Sequence, residues 1–196
     1  MSRVITGQIL LILCSAVYLI WWYRGFRPGI TVNRIGGVNG VLLLVTAALG
    51  IFGVFFSLTP MQAIREPAVS RSGIVIAGVA SYFLLLFITK IVFHRVVTTE
   101  LILIVGWTML ELVVADNLYA AGALSGSSLL TVCAVLEAAF LISIVLYVAY
   151  YRMEEMKAFY AAMVPLVTEA AAMMMLTGIV LGEWLFTDAT GRSMFC

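Results

Sequence analysis

The chain has 196 residues, 64% of them hydrophobic and 11% charged, with 11 Lys and Arg against 10 Asp and Glu for a formal net charge of +1. Soluble domains run about half apolar and a quarter charged, so this composition excludes a soluble fold, and basic residues scattered singly through loops form no stripe for nucleic acid. One histidine, with three cysteines that show no CxxC spacing, leaves no basis for a bis-His haem, a His-rich metal centre, a zinc knuckle or a thioredoxin-like pair.

The expected fold is an all-α integral membrane protein, a bundle of about six transmembrane helices with short loops, forming a single domain over 1–196. A spanning helix needs about 20 predominantly apolar residues. The first predicted helix covers 4–23. Arg3 followed by an apolar run is also how a signal peptide begins. No small-x-small cleavage site precedes Trp21-Trp22-Tyr23, however, and the run is long enough to span, so an uncleaved first helix is expected. Its aromatic end suits the headgroup level. A basic loop follows with Arg24, Arg27 and Arg34, and Pro28-Gly29 marks its turn. The second helix, 38–58, stops at Thr59-Pro60. Its Ala47, Gly50 and Gly53 make a smooth side that another helix can approach closely.

The third helix, 73–93, opens with Gly73, Ala77 and Ser81, a small-xxx-small pattern read as a packing face, and Lys90 near its end can snorkel towards water. The fourth is predicted over 101–121, and the Ser/Gly-rich stretch 122–128 reads as an uncharged loop. The fifth covers 129–149 and runs into Tyr150, Tyr151 and a charged segment with Arg152, Glu154, Glu155 and Lys157. The sixth, 158–182, is long enough to cross with tilt. Trp184 and Phe186 fall at its far interface, ahead of a polar tail over 187–196.

Lys and Arg fall unevenly on the two sides. Arg24, Arg27, Arg34, Lys90, Arg95, Arg152 and Lys157 lie on one, and Arg3, Arg65, Arg71 and Arg192 on the other. The positive-inside rule then places both termini outside, and the plasma membrane is the expected location.

The chemistry is concentrated in the last three helices. Glu111, Glu137 and Glu169 each stand near the middle of a span, within about two turns of one depth, and no Lys or Arg shares that level. A charged acid at a bilayer centre costs about 2.5–3.5 kcal/mol on the most lenient scale. Neutral, hydrogen-bonded carboxyls are tolerable there; three anions are not. Glu111 shares its helix face with Trp107, Thr108 and Ala115. Asp116, five residues on, projects about 140° away and suits the mouth of a path or the interface. Glu137 lies among Cys133, Ala134 and Leu141. Glu169 lies among Pro165, Leu166, Ala172 and Met173, and Pro165 frees the carbonyl of Ala161 for an ion or water. Consecutive Met173, Met174 and Met175 point about 100° apart and read as packing rather than a copper site.

The functional expectation is a small transporter or channel for a cation or cationic small molecule, proton-coupled through the mid-membrane glutamates. Glu111 and Glu169 form the expected binding pair, Glu137 a coupling site, and Trp107 a π-face for an organic cation. No cofactor is expected. The lipid bilayer, a cationic ligand and a second copy packed through the second and third helices are the expected partners. The alternative is a non-catalytic membrane subunit or ligand-binding sensor serving a partner protein, or single polar residues acting as interhelical glue at about 0.6 kcal/mol each. An enzyme acting on lipid ranks last, because no Asp-rich motif lies at the membrane surface.

Overall fold

The computed structural model describes residues 2–29, 34, 36–58, 71–93, 99–150 and 152–189. Six helices occupy them: α1 (Ser2–Phe26), α2 (Val38–Leu58), α3 (Arg71–Phe93), α4 (Thr99–Ala120), α5 (Gly126–Tyr150) and α6 (Glu155–Ala189). Each is long and apolar enough to cross a membrane, and no strand occurs among the described residues. The predicted segments 59–70, 94–98 and 190–196 lie outside the described residues.

α1 and α2 form an antiparallel hairpin, the most intimate helix pair in the molecule. Small residues let the backbones approach, as the stripe on α2 predicts. A Cβ added to Gly53 would lie 2.8 Å from Leu11 Cγ, and one added to Gly50 would lie 3.4 Å from Cys14 Sγ. On the α1 side, Gly7 faces Ser57, and a Cβ there would come within 2.5 Å of the Ser57 backbone nitrogen. The turn joining the two helices carries Gly29 at φ 84°, a left-handed conformation that glycine adopts without strain. Side chains tie this turn down. Trp21 donates its indole N–H to the Arg34 carbonyl at 3.0 Å, and Arg24 donates from Nε to Asn39 at 3.3 Å.

α4 is the most buried helix, with α3, α5 and α6 packed around it and α2 brushing past. Val114, Ala115 and Leu118 of α4 meet Val132, Leu136 and Ala139 of α5 and Ala172, Leu176 and Val180 of α6 in the main core. A second cluster joins Leu101, Ile104 and Val105 of α4 to Tyr147 of α5 and to Tyr82 and Leu85 of α3. α3 packs through Gly78, seated against Met109, and through Thr89. Gly73 and Ala77, predicted to form its packing face, are exposed instead, because Gly78 offers the deeper notch one residue round. Large apolar side chains such as Leu44 and Leu130 project outwards, as a bilayer requires.

α2 matches its predicted window, whereas α6 runs furthest past its own, from Glu155 to Ala189, and α5 begins at Gly126, inside the segment expected to be a loop. α4 closes in a Schellman turn. The Ala123 N–H donates to the Leu118 carbonyl at 2.8 Å, the Gly122 N–H donates to Tyr119 at 2.9 Å, and Gly122 has φ 70°. Ser125 then caps α5 by accepting the Ser128 N–H at 3.3 Å, so the serines start the helix rather than delay it. Glu183 of α6 reaches over this cap. Its carboxylate accepts the Ser125 N–H at 2.8 Å and the hydroxyls of Ser125 and Ser128.

Candidate functional site

Two of the three predicted glutamates come together, and they do so through α4. Glu111 is fully buried, and its Oε1 accepts a hydrogen bond from Gln8 Nε2 of α1 at 3.2 Å. One turn earlier, Thr108 Oγ1 lies 3.3 Å from Glu169 Oε1 of α6. Glu169 is 3% exposed, and the α4 residues at which the two carboxyls are held, Glu111 and Thr108, lie one turn apart. They belong to one buried polar group contributed by α1, α4 and α6.

The bonding in this group is short of donors. Gln8 Oε1, Glu111 Oε2 and Glu169 Oε2 are all buried without a partner. The Thr108 hydroxyl has one proton, and it also lies 2.9 Å from the Ile104 carbonyl, so Glu169 shares even that donor. A buried acceptor without a partner costs about 1–3 kcal/mol. Three in one place define a position that attracts a proton, a cation or a donor-rich ligand.

Glu169 also faces open space. A cavity of about 810 Å³ runs between α1, α2, α4, α5 and α6, with Glu169 at its inner end. The first half of α6 forms one wall. Pro165 removes the N–H that would otherwise pair with the Ala161 carbonyl, and both residues line the cavity. The outer end, towards Arg24 in the last turn of α1 and Arg27 just beyond it, is lined by Tyr18, Trp22, Tyr147 and Tyr150. Trp107 presents its ring to the same space. Its indole N–H is donated to Met173 Sδ at 3.1 Å, which fixes the ring's tilt. Met173 is fully buried, whereas Met174 is half exposed, the divergence expected of neighbouring helical residues.

Glu137 does not join this group. α5 packs through Val132, Leu136, Ala139, Ser143 and Tyr147, and Glu137 stands about 100° beyond Leu136, exposed on the outer surface of the bundle. The expected cluster of three acids is therefore a pair. Asp116 is buried in the last two turns of α4, with Asn117 beside it, at 4% and 1% exposure. It sits on a different face of α4 from Glu111, as its spacing requires, yet is still inside because α4 is surrounded. Among the described residues, no three of His, Cys, Asp or Glu gather as a metal-binding set.

Gln8 is the participant to which the acids alone do not point. Its signal was present, since it is the one amide side chain in the first predicted span. Comparison of the chain with protein-family models, with curated proteins and with solved structures finds no match. Fold and site thus define a class, an integral membrane protein of six apolar helices with a buried carboxyl pair behind an internal cavity.

Proposed function

We propose that the protein binds a cation or cationic small molecule at Glu169, with Glu111 behind it, and carries it across the membrane in exchange for protons. The observation that supports this reading is the donor deficit of the Gln8–Glu111–Glu169 group at the closed end of an open cavity. Interhelical glue would close its hydrogen bonds, and these remain open. Two carboxyls held at positions one turn apart along α4 also suit coupling, because charge on one opposes charge on the other and a cation at Glu169 favours release of a proton. In this reading the cavity opens to the cytoplasm, since the residues lining it on α1, from Cys14 to Trp22, run towards the arginine-rich end, and the positive-inside rule places that end within the cell. The plasma membrane is the corresponding location, and the exposed faces of α2 and α3 are where a second copy would pack.

The test is proton flux in proteoliposomes, followed with an interior pH dye as cations are presented one at a time. Cation-dependent flux in the wild type that is lost in Glu169→Gln and Glu111→Gln, both still folded, is the expected result. Saturable binding without flux would instead assign the cavity to a ligand sensor or a subunit of a larger assembly. Absence of both binding and flux would overturn the reading.

A further inference from the structure

With Glu169 taken as the cation-binding group, the space above it limits which cation fits. A cavity of about 810 Å³ is far larger than a bare or singly hydrated ion requires, given about 30 Å³ per water. Its walls are apolar, with Leu103, Ile104, Ile51 and Leu166 among them, and they offer a hydrated ion no replacement for its shell. Two residues lining this space carry a buried polar atom without a partner, Glu169 (Oε2) at the inner end and Trp22 (Nε1) near the outer end. One is a carboxyl oxygen, able to hold or give up a proton, and the other an N–H donor. Trp22 lies 14 residues beyond Gln8 on α1, about 21 Å along the axis, and Thr108 brings Glu169 about 4.5 Å back towards it. After the reach of both side chains, on the order of 10 Å separates the two atoms.

The cavity also has a side. Ile51 lines it and is 68% exposed; Leu103 lines it and is 36% exposed. Ala47, between them in depth, is exposed as well. α2 and α4 touch only lightly, so the cavity wall continues between them onto the lipid-facing surface.

We propose that the occupant is an amphipathic organic amine that enters sideways from the bilayer between α2 and α4. It places its nitrogen on Glu169, lays its apolar body along Trp107, and offers an acceptor to the Trp22 N–H. This assignment rests on the cation reading of Glu169 and narrows it to a substrate class. The uncharged amine is the form that crosses hydrocarbon. On arrival its nitrogen lone pair takes the proton of a neutral Glu169 carboxyl, leaving an ammonium beside a carboxylate. One N–H bond forms as one O–H bond breaks, and no net charge enters the membrane. The ammonium supplies the donors that the buried group lacks, and its N⁺ lies within reach of the Trp107 ring.

The test is equilibrium binding to the full chain in nanodiscs, corrected with empty discs, using sodium, methylamine, octylamine and an octylamine with a terminal ether oxygen. Octylamine is expected to bind saturably and at least tenfold more tightly than methylamine, with at least a tenfold loss in Glu169→Gln. Ala47→Trp, which narrows the side opening, should slow octylamine association at least threefold while leaving methylamine binding unchanged. Trp22→Phe should lower the preference for the ether-bearing amine over plain octylamine at least threefold. Sodium or methylamine binding as tightly as octylamine, still dependent on Glu169, would overturn the amine assignment and leave the cation reading intact. Octylamine binding that ignores Glu169→Gln would also overturn it, and would mark an apolar lipid site. No saturable binding of any cation to folded protein would overturn both.

Discussion

Replacing Glu111 with glutamine should make the protein more stable and less active. Glu111 accepts one bond from Gln8 at 3.2 Å, leaving its own Oε2 and the Gln8 Oε1 without partners, with both residues almost wholly buried. Two facing amides can bond reciprocally, each N–H₂ donating to the other's oxygen, so the substitution supplies the donor that Gln8 Oε1 lacks. An intramolecular hydrogen bond is worth about 1 kcal/mol net, and in membranes the measured range reaches about 1.7 kcal/mol. Removing an ionisable group from the centre of a span adds to this in the same direction. The expected gain is therefore at least about 1 kcal/mol, roughly fivefold in the folding equilibrium. Reversible unfolding in mixed micelles with increasing denaturing detergent measures it, with Gln8→Leu and the double variant completing a cycle. If Glu111→Gln instead loses about 1 kcal/mol or more, the carboxyl has partners that an amide cannot replace, and the donor deficit is wrong. A gain in stability with flux abolished is the trade expected of a functional site that holds unsatisfied groups.

Other consequences are open to measurement. Gly7→Ala should destabilise by about 1–3 kcal/mol in the same unfolding assay, because the new methyl meets the Ser57 backbone, which cannot swing aside. Gly178→Ala, with nothing within 4 Å of its added Cβ, should be neutral or gain up to about 1 kcal/mol; equal effects from the two would refute the close α1–α2 approach. Glu183→Ala should cost about 1 kcal/mol and speed amide exchange at Ser125 several-fold, read by hydrogen-exchange mass spectrometry, with unchanged exchange counting against the cap. Glu137→Gln should leave cation binding unchanged, since its side chain lies on the outer surface, and should raise stability in the unfolding assay, because an ionisable group is removed from the lipid-facing side of a span; loss of binding would return it to the site.

The six spans were readable because each is a run of apolar residues with aromatic, Pro or charged stops, and hydropathy responds to little else. It finds where lipid begins, not where the helix ends. α6 accordingly runs from Glu155 to Ala189, well beyond the apolar window, and α5 starts at a serine cap that composition alone reads as loop. Glu111 and Glu169 were identifiable as acids at matching depth. Whether a given face turns inward is a matter of packing between helices, and there the sequence was silent. Leu136 and Ala139, rather than Glu137, were chosen as α5's inner face by the shape of α4 and α6. Asp116, projecting about 140° from Glu111, reads from its spacing as suiting the mouth of a path or the interface. A helix surrounded by neighbours has no single inner stripe, so both are buried. Gly78 outdid Gly73 and Ala77 for a similar reason: what packs depends on the knob opposite, here Met109.

The long link between Gln8 and Glu111, 103 residues apart, bears on the order in which the chain is made. Synthesis proceeds from the N-terminus, so α1 and α2 emerge first, and their tight pairing gives them a means of settling as a hairpin before α4 exists. α4 is costly to release into lipid, because it carries both Glu111 and Asp116, and an acid near the centre of a span costs about 2.5–3.5 kcal/mol. When it leaves the ribosome, α6 and Glu169 are still unmade, but the Gln8 amide is already in the membrane and able to receive Glu111. The first helix then serves as a landing partner during insertion. A chain lacking α1 would be expected to stall with its fourth segment outside the bilayer.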